Sequence, residues 1–182
     1  FNNKVANQTI ASTSGRTLTL PSGSKVTVDA GSHSISANVS AEATVPADSL
    51  TKSGSGALTL AGPANSVAGS FFVDGGTLTI PSGASLTVGG ERFLANNGST
   101  MVVSGTLNLL MWSTVGEAAG TPEAPESTMI VKDSAQVNTP DSFFIVGGEG
   151  LNDGRLTIKD SAQLNAAMLI LEIGRASCRE RV

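Results

Sequence analysis

Few residues in this chain have side chains and spacings suited to chemistry. Its one histidine, His33, lies in Gly31-Ser32-His33-Ser34. Serines and aspartates are common enough to draw a Ser-His-Asp relay through it, but a relay needs three groups at fixed distances, and abundance does not supply spacing. The glycine and serines around His33 read as a turn, which predicts a solvent-facing loop position. A zinc centre needs three or four His, Cys or carboxylate ligands. Here there is one His and one Cys, Cys178. Asp133 and Asp160, beside Lys132 and Lys159, recur at an offset of 27 residues. Such a column could hold a cation, or its opposite charges could neutralise one another. A lyase or hydrolase acting on polysaccharide needs clustered acids with an Arg or Lys nearby, whereas a motif copied along a repeat answers first to a structural need. Gly147 to Gly154 faintly resembles a glycine-rich calcium repeat, but Asn152 stands where Asp belongs and there is no tandem copy, so a turn is expected. The expectation is no catalytic, cofactor-binding or metal residues, and no cofactor.

The large aromatics are Trp112 and the pairs Phe71-Phe72 and Phe143-Phe144. Strand side chains alternate, so one ring of each pair should face the core and the other outward. Outward rings could stack on sugars or form a lateral apolar patch. Composition narrows the classes further. The 182 residues carry 11 Lys plus Arg and 15 Asp plus Glu, a net charge of −4, with only 4% aromatics. That lacks both the basic stripe and the stacking platforms of nucleic-acid binders. No apolar run approaches the length of a membrane-spanning helix, so no direct membrane insertion is expected in this segment. Gly, Ser, Thr and Asn together make up 73 of the 182 residues, a composition of tight turns and short strands.

Internal repetition supplies the elements. Lys132-Asp133-Ser134-Ala135-Gln136-Val137-Asn138 returns as Lys159-Asp160-Ser161-Ala162-Gln163-Leu164-Asn165, and Ser99-Thr100-Met101-Val102-Val103 returns 28 residues later as Ser127-Thr128-Met129-Ile130-Val131. A second echo, at offset 60, links Thr17-Leu18-Thr19-Leu20-Pro21-Ser22-Gly23 with Thr77-Leu78-Thr79-Ile80-Pro81-Ser82-Gly83. Each unit is a strand of three to five residues with the period of a half-buried strand, and in Leu18-Thr19-Leu20, Leu58-Thr59-Leu60, Leu78-Thr79-Ile80 and Leu86-Thr87-Val88 apolar residues point one way and Thr the other. One such strand cannot bury its own apolar face, but parallel stacking of successive coils of 20 to 30 residues buries all of them in one column. A sandwich would need antiparallel neighbours and would show no fixed offset. The Lys-Asp-Ser-Ala-Gln stretches read as corners, and Asn138 and Asn165 as rungs of an amide ladder between coils.

The organisation expected is therefore solenoid coils with the Leu-Thr-Leu-Pro-Ser-Gly units over 1–95 and coils with roughly 27-residue repeats over 96–171. A Pro-, Gly- and Glu-rich loop falls near 116–126. Residues 172–182 read as a non-native tail, because Ile173 to Val182 (IGRASCRERV) is similar to the conceptual translation of a short-read sequencing adapter. Without it the chain has no cysteine. The chain opens in mid-pattern at Phe1, as an internal fragment would.

Residues 50–80 resemble the autotransporter-associated β-strand repeat. The matching positions are Leu50, Lys52, Gly54, Gly56, Leu58, Leu60, Gly62, Asn65, Gly69, Val73, Gly76, Leu78 and Ile80. Val67 replaces the usual aromatic, and Ser70-Phe71 the usual Gly-Thr. The resemblance implies an all-β fold, a right-handed parallel β-helix (β-solenoid), within an exported passenger that is secreted or held at the bacterial cell surface. The expected role is structural and adhesive, with surface glycans or host and neighbouring cell surfaces as partners and no catalysis in this fragment. The alternatives are a carbohydrate-active β-helix enzyme whose site lies mostly outside the fragment, and a spacer that displays another domain. Open coil ends predict end-to-end self-association of the isolated fragment.

Overall fold

A computed structural model describes residues 2–3, 8–11, 16–45, 48–116, 125–148 and 154–171. The tail at 172–182, the loop segment 117–124 and residues 149–153 of the glycine-rich stretch lie outside the described residues. Among the described residues every regular element is a strand. In chain order the first coil holds β1 (Asn2–Asn3), β2 (Thr9–Ile10) and β3 (Thr17–Leu20), and the second β4 (Lys25–Val28), β5 (Ser32–Ile35) and β6 (Asn38–Ala41). Next come β7 (Ser49–Ser53), β8 (Ala57–Leu60) and β9 (Asn65–Val67), then β10 (Ser70–Asp74), β11 (Thr77–Ile80) and β12 (Ser85–Val88). The pattern continues with β13 (Arg92–Asn96), β14 (Thr100–Val103) and β15 (Thr106–Leu109), then β16 (Trp112–Val115), β17 (Ser127–Val131), β18 (Gln136–Val146), β19 (Gly154–Ile158) and β20 (Gln163–Leu171).

From β1 to β15 each strand pairs in parallel with the strand three elements on, and from β16, where one long strand spans two faces, with the strand two elements on, which makes a three-faced solenoid. Face one carries β1, β4, β7, β10, β13 and β16; face two β2, β5, β8, β11, β14, β17 and β19; face three β3, β6, β9, β12 and β15. β18 runs without a break from face three onto face one, with a register shift between Thr139 and Phe143, and so joins those two faces into one 13-stranded sheet.

Strand alternation sorts the side chains. β8, β11, β12, β14 and β15 all alternate half-buried with buried positions, and the buried ones are apolar. They stack in columns such as Leu58, Leu78, Met101 and Met129 on face two, and Leu86, Leu107 and Val137 on face three. Each such side chain contributes about 1.5–3 kcal/mol when fully buried, and nearest-neighbour stacking adds these contributions coil by coil. The last coil is more open: Ile158, Met168 and Leu171 are among its exposed apolar residues.

Two sequence readings change. His33 is not in a solvent loop. It lies in β5, 5% exposed, in register with Leu58. The glycine before it makes the corner, and the strand begins at Ser32, so alternation points the ring inward. The offset-60 echo is local rather than global. Thr17–Leu20 is a face-three strand leading to face one, whereas Thr77–Ile80 is a face-two strand leading to face three. The same strand-turn-strand unit, with Gly23 and Gly83 both at positive φ, closes two different corners. The 27-residue offset, in contrast, is the stacking register itself, pairing Asn138 with Asn165.

Candidate functional site

The residues that could do chemistry are held at corners and along ladders. Lys52 follows the alternation of β7 and so points inward, at 1% exposure. Its column is otherwise apolar: Val26 below, then Val73, Ala95, Val115 and Val146 above. A buried ammonium needs partners, and Lys52 Nζ donates to the carbonyl oxygens of Gly54 (2.9 Å), Gly56 (2.8 Å) and Gly75 (2.7 Å). Three N–H groups meet three acceptors, two in its own coil and one in the next. Burial pushes the Lys52 amine down to about 8, against the pull of Asp74, which leaves the proton in place at neutral pH.

Gly76 makes this clamp possible. Its φ is +62°, and a methyl group there would overlap the carbonyl oxygens of Gly54 and Gly56 and Lys52 Nζ. Asn65 is the second polar core residue, 2% exposed. Its Nδ2 donates to Gly62 O (2.7 Å) and Ser85 O (2.9 Å), and its Oδ1 accepts from Val39 N–H (3.0 Å). One side chain thus ties together three successive coils. Gly69 abuts the backbone carbonyl of Asp48. The Asp48 carboxylate closes its own corner, accepting from the Thr44 and Val45 N–H groups and from the Thr44 hydroxyl. With a further hydroxyl bond from Ser22 as the largest cause, these hold its carboxyl well below the usual range. Leu58, Leu60 and Leu78 are core residues.

Asp133 and Asp160 occupy the corner between faces two and three, both at positive φ (62° and 61°), a conformation that Asp tolerates better than most residues. The Asp160 carboxylate accepts from Asp133 N–H at 3.1 Å, and Lys132 pairs with Asp133 at 3.2 Å. Asp133 is held below its usual value first by Ser104 and then by Lys132. Among the described residues no three His, Cys, Asp or Glu side chains gather into a metal-binding group. Nor is any described helix long and apolar enough to cross a membrane.

On the outer side of face three, Asn165 Nδ2 donates to Asn138 Oδ1 and Asn138 Nδ2 to Asn108 Oδ1, both at 2.9 Å, while Asn108 reaches Thr87 Oγ1 at 3.3 Å. Asn108 was missed in the sequence because the loop near 116–126 stretches its offset to Asn138 to 30 residues. His33 bridges two turns of chain: Nδ1 accepts from Gln8 N–H (3.2 Å), so Nε2 carries the proton facing Ala30 O (3.1 Å). Phe71 and Phe144 are buried while Phe143 is exposed. Phe71 packs on Phe93 with ring centroids 6.1 Å apart.

What these groups do is close corners and tie coils. Among the described residues, the buried Lys52, Asn65 and His33 side chains bond to backbone groups, and none of the three is paired with a general base or nucleophile. The family model described as passenger-associated-transport-repeat matches residues 50–80, the stretch that holds the Lys52 clamp and the Asn65 tie. No curated protein and no solved structure matches the chain. Taken with the stacked parallel coils around them, residues 50–80 are a repeat of the autotransporter-passenger β-helix type.

Proposed function

We propose that this chain is a rigid, non-catalytic section of an exported passenger that stands at the bacterial cell surface or is released from it, with a structural and adhesive role. The observation that carries the reading is the use of the repeat's polar residues: Lys52 and Asn65 bond entirely to backbone in their own and adjoining coils. Their chemistry holds one coil to the next, as a load-transmitting stalk requires. A solenoid of this kind pairs every internal strand above and below, so it can extend without disulfides.

The test uses the full-length protein in its own cells. An antibody raised against the solenoid should label intact, unpermeabilised cells or appear in the medium, and deleting the gene should reduce adhesion to the surfaces those cells colonise. Labelling only after permeabilisation overturns the export reading. Release of reducing ends or unsaturated sugars from polysaccharide by the purified protein overturns the non-catalytic one.

A further inference from the structure

The corner between faces three and one changes character along the solenoid. Between β12 and β13 it is Gly89-Gly90-Glu91, and between β9 and β10 it is Ala68-Gly69. From β15 onward exposed apolar residues enter it: Leu110 (46%), Met111 (47%), Trp112 (49%), then Phe143 (45%) and Met168 (50%) one and two coils further on, with Pro140 and Asp141 exposed just before Phe143. Phe143 and Met168 are register partners, and Ser113 pairs with Phe144, which sets Trp112 beside Phe143. Arg92, the register partner of Trp112 one coil below, lies over its ring at 5.8 Å. The result is a ridge along the axis in which rings and a guanidinium plane repeat at the coil spacing, about 4.8 Å.

The asparagine ladder runs beside this ridge. The chain passes from Asn108 to Trp112, from Asn138 to Phe143 and from Asn165 to Met168 within three to five residues. Each inner rung uses one amide N–H and one oxygen lone pair along the ladder, which leaves one donor and one acceptor facing outward. The two stripes offer paired amide donors and acceptors on one side and apolar rings on the other.

The geometry points to a binding site for an extended neutral oligosaccharide, lying along this corner across β15–β20. Sugar hydroxyls need donor-acceptor pairs, and the C–H faces of the rings need an apolar platform; both repeat here with one period. The patch favours a neutral ligand because Arg92 is engaged with Trp112 and the chain as a whole is acidic. Residues Trp112, Phe143, Asn108 and Asn138 make the contacts. This site rests on the adhesive reading above and gives its partner a chemical class.

Trp112 is the chain's one tryptophan, so its fluorescence reports on the ridge directly. The protein is titrated with cellohexaose, chitohexaose and mannohexaose, and with hexagalacturonate as the acidic comparison. The expected result is a saturable change in Trp112 emission with at least one neutral hexasaccharide. Phe143→Ala and Asn138→Ala should each weaken binding roughly tenfold, while Thr59→Ala on face two should leave it unchanged. Calorimetry with Trp112→Ala should show the same loss. No response to any neutral hexasaccharide up to roughly 10 mM, weaker than any specific site would be, overturns the proposal. A stronger response to hexagalacturonate, or an emission shift that follows protein concentration without sugar, overturns it in favour of acidic glycans or a second copy of the chain. Cell-surface labelling is read separately, so a silent ridge on labelled cells removes the sugar site alone. Sugar binding by a protein that never leaves the cell removes the export reading alone.

Discussion

The coils built from 49–88 and those built from 92–138 close the same corner by different chemistry. In the first, a cation fills the corner between faces one and two. Lys52 extends inward, three carbonyls receive its ammonium, and Gly76 stands aside. In the second, the place of Lys52 in the column passes to Ala95 and Val115. The position of Gly76, one residue before the paired Thr77, Thr100 and Thr128, passes to Ser99 and Ser127. Those two serines are 0% and 1% exposed, and their hydroxyls lack hydrogen-bond partners. Lysine with glycine thus gives way to a small apolar residue with serine. A backbone cross-section can be conserved along a solenoid while its filling changes from a bonded charge to packed methyl groups, because each coil answers only to its neighbours.

The sharpest way to break the comparison is Gly76→Ala. A Cβ at φ +62° would press on two carbonyl oxygens that hold the Lys52 ammonium, one of which also accepts from Thr77 N–H, and on the ammonium itself. The expected loss exceeds about 4 kcal/mol, the range of changes that overfill a core or strain a special φ, read as a fall in the urea midpoint. A loss below about 1 kcal/mol would mean that the corner is slack and the clamp incidental.

Lys52→Met ranks next. Met keeps the volume of the stem but leaves three carbonyls short of a donor, which should cost about 3 kcal/mol. The pH dependence sharpens the test. Unfolded lysine keeps its proton to 10.5, whereas the folded one loses it near 8. Between those values the unfolded chain binds more protons, so this group's contribution to unfolding free energy rises with pH, by up to roughly 1.4 kcal/mol per unit. The stability gap between wild type and Lys52→Met should widen from pH 8 to 10. A narrowing gap would show the three carbonyl bonds outweighing burial.

The two asparagine systems make a second pair. Asn65→Ala removes three bonds inside the core and strands the Val39 N–H and two carbonyls, an expected loss of about 2–3 kcal/mol. Asn138→Ala breaks a ladder open to water, with an expected loss of about 0.5–1 kcal/mol. Equal losses in equilibrium unfolding would erase the distinction between buried tie and surface ladder.

Much of this was legible in the sequence, for physical reasons that differ by residue. Alternation showed which face of Leu58-Thr59-Leu60 is buried, because the strand period is 2. The 27-residue copy showed the stacking of Asn138 on Asn165, because in a solenoid the sequence offset is the register. The resemblance marked Lys52, Asn65 and Gly76 as positions of one repeat. What it could not supply was their partners: carbonyls carry no side-chain signature, so a lysine bonded to Gly54, Gly56 and Gly75 reads like a surface lysine. His33 was misread because Gly31 and Ser32 signal a turn, and the strand begins one residue before the ring. Asn108 escaped because an insertion changed the offset without changing the register.

The smallest expected effect carries the opposite sign. If Ser99 and Ser127 only fill the corner that Lys52 fills two and three coils earlier, their buried hydroxyls are a cost without a bond, and each stranded hydroxyl disfavours folding by about 1–3 kcal/mol. Ser99→Ala keeps the Cβ, which the corner already accommodates, and removes the stranded oxygen. It should therefore leave stability unchanged or raise it by up to about 1 kcal/mol, in contrast with the collapse expected for alanine at the matching Gly76. The same methyl group would then be tolerated in one coil and forbidden in the coil paired with it, with the positive φ of Gly76, the two carbonyl oxygens and the ammonium they hold as the difference. A loss greater than about 1 kcal/mol would mean that the hydroxyl is bonded in solution, and the natural donor and acceptor in an otherwise apolar corner is an internal water. In that case both halves of the solenoid would close this corner with a hydrogen-bonded guest, covalently supplied by Lys52 in one and drawn from solvent in the other.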